Sequence, residues 1–325
     1  MTEILASQLT GYQEALSGLA YFQIDEPGYL RISGQDRLTF LQRQTSNDLN
    51  LLSQDNVLIS VLTSSTGRIL DVLTIFHEED QLGVLTLPGF GNQTGDFLRS
   101  RIFFMDKVSL EDASHEIVLF ELLGPRVGEL AQQIGAVDTL EKDDRIQSIV
   151  ISGIKIQYIS QSGLGQRLII PHKSADEVLE AIKDLGASPL SIDAYESLRI
   201  EKGIPAVGHE LIEEYTPLET GYQWAVSESK GCYTGQEVLA RQISYDKITR
   251  QLVGLKLVQV QHPGDTLWSL EDGKKVGVIT SSTLSPNYGP IALGIVKRPF
   301  NQPGTEVRVS DKIDGEIARI TSLPF

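Results

Sequence analysis

The feature that most restricts the fold of this chain is an abrupt loss of helical periodicity at Thr249. From there to the C-terminus the sequence is a series of short strand-like runs, at 252–260, 276–280, 291–296, 306–310 and 316–320. Turn signals separate them: Pro263-Gly264-Asp265, Asp272-Gly273, Pro286-Asn287-Tyr288-Gly289 and Asp314-Gly315. Short strands at this spacing predict a small all-β domain, a barrel. The boundary falls near 245–250.

Upstream, strand and helix patterns alternate without the long βαβ rhythm of a doubly wound sheet. Strands are expected at 57–63, 68–76, 82–87, 116–123, 146–151, 154–159 and 167–170. Helices are expected after Gln35-Asp36, around 96–100, and over 126–134, 174–185 and 192–202. This pattern predicts α+β layers, with helices packed on antiparallel or mixed sheets. At 325 residues the chain exceeds one ordinary core, so two or three domains are expected.

Charge narrows the function. A formal net charge of −15, without a basic run, argues against broad nucleic-acid or anionic-membrane binding. The single cysteine excludes an intrachain disulfide and any Cys-based zinc spacing, and no permanently bound metal is expected. Residues 1–7 lack the basic and apolar regions of a secretory signal, and no run is long and apolar enough to span a bilayer. A cytoplasmic protein is expected.

That one cysteine lies in Lys230-Gly231-Cys232-Tyr233-Thr234-Gly235-Gln236-Glu237, followed by Val238-Leu239-Ala240-Arg241. Thr234 with Glu237 has the spacing of a capping box, so a helix is expected to start there. Cys232 would then sit off a positive helix end, two residues from the Lys230 ammonium, and both neighbours favour a thiolate. Gly231 and Gly235 permit a tight turn and close approach of a ligand. The alternative is a buried structural cysteine in an ordinary Gly-rich turn.

Three further acidic or amide positions stand out. Asn47 and Asp48 close the cluster Thr45-Ser46-Asn47-Asp48, which reads as a helix end or turn, or else as ligand contacts. Asp71 lies in a strand that is apolar on both faces, so its carboxylate needs donors, a proton, a cavity, or a salt bridge to an arginine such as Arg68. Glu201 continues the inward stripe of Ala194 and Leu198 at the C-terminal end of its helix, where a negative charge is unfavourable; fraying into water is one explanation, but the unfavourable placement points to another reason for an acid there.

Together these stretches resemble the YgfZ-type folate-binding proteins, relatives of the glycine-cleavage T-protein. The segment 230–237 is similar to the signature of that family. Phe40-Leu41 through Asp48, Leu62-Thr63 through Asp71, Leu123-Gly124-Pro125 and Leu198-Arg199-Ile200-Glu201-Lys202-Gly203-Ile204-Pro205 match in the same order. The resemblance implies fused ferredoxin-like units in a folate-binding region of residues 1–248, with two subdomains, then a β-barrel domain at 249–325, around a central opening.

It also implies tetrahydrofolate as ligand and a role in iron–sulfur cluster assembly or repair, with effects on tRNA-methylthiolating enzymes. Partners are then cluster-assembly or client proteins. Glu201 takes the position of the pterin-contacting acid, a carboxylate able to accept two hydrogen bonds from the pterin. Asn47, Asp48, Gly231, Tyr233, Gly235 and Gln236 join it as expected cofactor contacts, and Lys230 or Arg241 would neutralise the glutamate tail. Cys232 and Asp71 are the expected reacting residues. T-proteins tend to carry two consecutive aspartates where this chain has Asp71-Val72, and adjacent strand residues face opposite ways. That departure favours the accessory role over aminomethyl transfer of the T-protein type; a non-catalytic scaffold is the remaining alternative.

Overall fold

Alternating burial along the strands and one-sided burial of the helices organise the chain into sheets with helices on one face. The computed structural model describes residues 9–136, 144–160, 163, 165–310 and 315–325. Asp314 of the expected Asp314-Gly315 turn, and residues 1–7, lie outside them. The described residues form two compact units, neither of them one continuous stretch. The first holds the residues up to Leu62, then Asp71–Tyr195 and Ser229–Thr234; the second holds Thr63–Leu70, Glu196–Glu228 and Gly235–Phe325.

The strands of the first unit are β1 (Ala20–Ile24), β2 (Tyr29–Ser33), β3 (Val57–Thr63), β4 (Ile69–Glu78), β5 (Gln81–Leu85) and β6 (Ser109–Asp112). They continue with β7 (Ile117–Leu123), β8 (Arg145–Ile151), β9 (Ile154–Ser160), β10 (Gln166–Pro171) and β11 (Ser188–Pro189). One sheet has the order β3-β4-β5-β2-β6 and the other β11-β1-β7-β10-β9-β8. The two sheets share a core in which Tyr29, Val57, Phe76 and Leu85 meet Ile117, Ile146, Ile159 and Ile169.

After the short helix α1 (Tyr12–Ser17), helices α2 (Arg37–Gln44) and α3 (Gly91–Arg99) cover the outer face of the five-stranded sheet. Helices α4 (Val127–Gln133) and α5 (Ala175–Asp184) cover the six-stranded sheet, placing Leu130, Val178 and Ile182 in its core. The unit is thus a helix–sheet–sheet–helix sandwich, and the α+β expectation holds. Strands β1, β6 and β11 carry too few alternating residues to have been read from sequence.

The second unit contains the C-terminal part of α6 (Ile192–Lys202), helix α7 (Gln236–Ser244), and the strands β12 (Arg250–Lys256), β13 (Thr266–Ser269) and β14 (Lys275–Ser285). It ends with β15 (Gly289–Lys297), β16 (Glu306–Val309) and β17 (Glu316–Thr321). These six close into the expected barrel, in the order β12-β15-β14-β13-β16-β17. Leu255, Leu267, Ile279, Val296, Val307 and Ala318 fill its interior. The sequence reading missed β13, whose four residues lie between two turn signals, yet it bridges β14 and β16.

The helix start expected at Thr234 is displaced by one residue. Helices α2, α5 and α7 have no side-chain hydrogen bond at their N-caps Asp36, Ser174 and Gly235. Asp36 instead accepts from the amide of Lys107, and Glu237 pairs with Arg241 one turn on.

Candidate functional site

The signature segment is held by its lysine. Helix α2 ends at Gln44, and its last carbonyls have no partner within the helix. Lys230, 7% exposed, donates from Nζ to the carbonyl oxygens of Gln42 at 2.8 Å, Thr45 at 2.6 Å and Asn47 at 2.6 Å. A cation there also meets the negative end of the helix dipole. Burial lowers the Lys230 pKa to about 8, while the Asp48 carboxylate pulls it back up. Nζ lies 5.1 Å from the ring centre of Tyr233, which is itself buried and pushed up to about 12. The ammonium expected beside Cys232 or a folate tail is therefore committed to main-chain oxygens.

Asn47 and Asp48 build the loop that receives it. Asn47 Nδ2 donates to the Ile59 carbonyl at 2.8 Å, its Oδ1 accepts the Asp48 amide, and its own amide donates to Ser60 Oγ. Asp48 accepts from the Asn50 amide and from Gln42 Nε2, and caps the short turn Leu49–Leu51. The Asn50 amide, ahead of the other contacts, holds the Asp48 carboxyl below the usual range. The turn-forming reading of Thr45–Asp48 is the one found. So the first unit brings Lys230, Tyr233, Asn47 and Asp48 together.

Cys232 follows with its side chain exposed. Gly231 has open space where a side chain would stand, so its backbone does not demand glycine. Gly235 does: it has φ +84°, and a Cβ there would lie 2.5 Å from the Ser64 carbonyl oxygen and 2.9 Å from Thr63 Oγ1. Helix α7 starts only after this left-handed residue. Gln236 is its first residue, and Arg241 projects into solvent, 2.6 Å from Glu237.

Asp71 is 0% exposed. Its Oδ1 accepts the amides of Val72 at 2.7 Å and Leu87 at 2.9 Å, and Oδ2 accepts from Thr94 Oγ1 at 2.5 Å. Burial raises its pKa to about 7 against the lowering effect of those three donors. The arginine suggested by sequence is engaged elsewhere: Arg68 lies 3.3 Å from Glu219 within the second unit. Asp71 thus ties β4 to the segment leading into α3. Val72, on the opposite strand face, is 8% exposed.

In the second unit Glu201 is 6% exposed, and its Oε1 accepts from Ser285 Oγ at 2.6 Å. The same hydroxyl receives the amides of Asn287 at 3.1 Å and Tyr288 at 3.0 Å, organising the turn between β14 and β15. The carboxylate at the helix end is an ordered, buried acceptor, not a frayed surface group. Sequence reasoning missed Gln42, Thr94 and Ser285. Only Ser285 carried a signal, its place before the Pro286-Asn287 turn.

Comparisons with known proteins match this arrangement over nearly the whole chain. Residues 13–230 match the GCVT N-terminal domain and residues 250–325 the glycine cleavage T-protein C-terminal barrel domain. A putative chloroplastic transferase of Arabidopsis thaliana is 31% identical over 94% of this chain and 72% of the relative. An aminomethyltransferase of Desulforamulus reducens is 29% identical, over 97% and 88%. The crystal structure of the glycine cleavage system aminomethyltransferase T from Bartonella henselae shares the fold at TM-score 0.85. It is 22% identical, with 96% of this chain and 88% of that one covered. Among the described residues, no helix is long and apolar enough to cross a membrane.

Proposed function

Because this chain belongs to the glycine-cleavage T-protein family, we propose that it is a tetrahydrofolate-binding accessory protein of the YgfZ type, serving iron–sulfur cluster assembly or repair through Cys232. The observation that carries this reading is an exposed thiol on a pinned backbone. Lys230 is anchored by three carbonyls on one side, and on the other Gly235 occupies a conformation that excludes a side chain. In the proposal residues 1–248 form the folate-binding region and 249–325 the barrel domain.

The acceptor chemistry of Glu201 fits a pterin. A carboxylate accepts hydrogen bonds at both oxygens, and the Ser285 hydroxyl on Oε1 fixes the orientation of this one. Tetrahydrofolate, when bound, supplies a carrier for one-carbon units. Asn47, Asp48, Lys230, Gly231, Tyr233, Gly235 and Gln236 shape the loop that carries the thiol, and Arg241 remains the exposed cation for an anionic tail. Asp71, sealed from solvent, is given a positioning role instead of a reacting one. Cys232 serves as nucleophile or as one cluster ligand. A single cysteine cannot hold a cluster, so the second use requires a partner protein.

Aminomethyl transfer is the second reading, favoured by the names of the bacterial relatives. Against it stands Val72, apolar where T-proteins tend to carry a second aspartate. Complementation of a deletion strain with Cys232→Ala separates the two, read on a tRNA-methylthiolating enzyme and on glycine cleavage in parallel. Loss of the first activity alone supports the accessory role; full rescue of it removes Cys232 from the mechanism. Titration of tetrahydrofolate into wild type and Glu201→Gln tests the ligand. Saturable binding weakened by the substitution is expected, and no binding to wild type leaves the scaffold alternative.

A further inference from the structure

Helix α6 ends in a Schellman closure at Gly203, a residue with φ +71°. The Ile204 amide donates to the Arg199 carbonyl at 2.8 Å, and the Gly203 amide to that of Ile200 at 3.0 Å. Neither reaches the carbonyl of Glu201, the next along the helix. Its donor comes from elsewhere in the second unit: the amide of Phe325, in the segment after β17, at 2.9 Å.

That segment is closely fitted to the helix end. Leu323 and Phe325 join Ile200, Leu252, Ile291 and Leu293 in one apolar cluster. A Cβ on Gly203 would lie 2.8 Å from Leu323 Cβ. One on Gly254, in β12, would lie 2.8 Å from Thr321 Cγ2 and 2.9 Å from Phe325 Cζ. Gly254 is not in the left-handed region, so the close approach of residues 321–325 is what calls for a glycine inside this strand.

The contacts then return to their starting point. The Phe325 ring lies 6.0 Å from the Tyr288 ring, centre to centre. The Tyr288 amide donates to Ser285 Oγ at 3.0 Å, and that hydroxyl donates to Glu201 Oε1 at 2.6 Å. From the Glu201 carboxylate the path runs through Ser285, Tyr288 and Phe325 and ends on the Glu201 carbonyl. One acid is thus fixed at side chain and main chain by two aromatic residues that rest on each other.

We propose that Phe325, braced by Tyr288, is a positioning residue for Glu201, locking the helix end to the Ser285 turn so that the carboxylate is oriented before a pterin arrives. This rests on the reading of Glu201 as the pterin acceptor and adds to it a determinant of affinity that follows the last barrel strand. Without the ring the carboxylate keeps its charge and loses its fixed direction, and the cost of ordering it falls on ligand binding.

The test is a double-mutant cycle on tetrahydrofolate affinity, measured by anaerobic calorimetry on the full chain. Phe325→Ala is expected to weaken binding about tenfold in the wild-type background. In Glu201→Gln it should weaken binding by less than about twofold, because the ring acts through that carboxylate. Gln keeps one acceptor oxygen, so binding to that background stays measurable. Phe325→Tyr retains the ring and should retain wild-type affinity. General loosening of the barrel would weaken both backgrounds equally, and that additive result overturns the proposal. Unaltered affinity in a folded Phe325→Ala protein does so too. If Phe325→Ala does not fold, Tyr288→Ala, at a residue 43% exposed, takes its place in the cycle under the same criteria. Absence of binding to wild type removes the pterin reading and this proposal together, whereas binding with an additive cycle removes this proposal alone.

Discussion

The buried Asp71 gives a prediction that can be worked through in numbers. Its side chain has no solvent access, and burial raises it to about 7. In the unfolded chain an aspartate titrates near ~3.9. Between those two values the unfolded state has lost a proton that the folded state keeps. Stability from this group is therefore present at low pH and falls as pH rises toward 7, after which the loss is constant. From pH 5 to pH 8 the loss is about 2–3 kcal/mol, two pH units at roughly 1.4 kcal/mol each. Asp71→Asn keeps an oxygen for the Val72 and Leu87 amides and has no proton to lose. Urea unfolding of wild type and variant at pH 5 and pH 8 cancels the other titrating groups in the difference. The variant should gain on wild type by that amount between the two pH values. A difference that does not change with pH refutes the reasoning, because Asp71 would then be ionised in the fold throughout. Asp71→Ala is the companion: it strips the acceptor from two amides and from Thr94, at about 1–3 kcal/mol each, and should cost roughly 3 kcal/mol or more.

Lys230→Met leaves three carbonyls without their donor and should cost roughly 3 kcal/mol or more in urea unfolding, with the loop at Cys232 becoming open to limited proteolysis. Gly235→Ala forces a side chain into a left-handed residue 2.5 Å from a carbonyl oxygen, and about 2 kcal/mol or more of destabilisation is expected. Ser285→Ala frees the Glu201 carboxylate from its orienting hydroxyl. If Glu201 holds the pterin, tetrahydrofolate affinity should fall by roughly tenfold at unchanged secondary structure by circular dichroism.

The barrel was legible because its turns announce themselves and its strands alternate; only Thr266–Ser269, too short for a period, escaped. The helix start expected at Thr234 is displaced for a physical reason. A glutamate in the first turn of a helix has two available partners, the backbone behind it and a cation one turn ahead. Glu237 takes Arg241, and the left-handed Gly235 occupies the cap position that the pattern assigned to Thr234. Nothing in an eight-residue window distinguishes these outcomes. Asp71 was recognised as an acid in need of donors, but two of its three donors come from residues 16 and 23 positions further along, which no local spacing encodes.

Lys230 shows how far proximity in sequence misleads about chemistry. It lies two positions before Cys232, and that spacing invites a charge effect on the thiol. Its Nζ instead closes the end of a helix nearly two hundred residues upstream, where the carbonyls of 42 and 45 lack intrahelical donors and the dipole favours a cation. An ammonium committed to three oxygens, with Tyr233 against it, acts on the cysteine by fixing the loop, not by lending charge. The consequence separates the two kinds of help. Under a charge mechanism Lys230→Arg would preserve function. Under an anchoring mechanism it would not, because a planar guanidinium cannot place three donors on carbonyls that surround a single nitrogen at 2.6–2.8 Å.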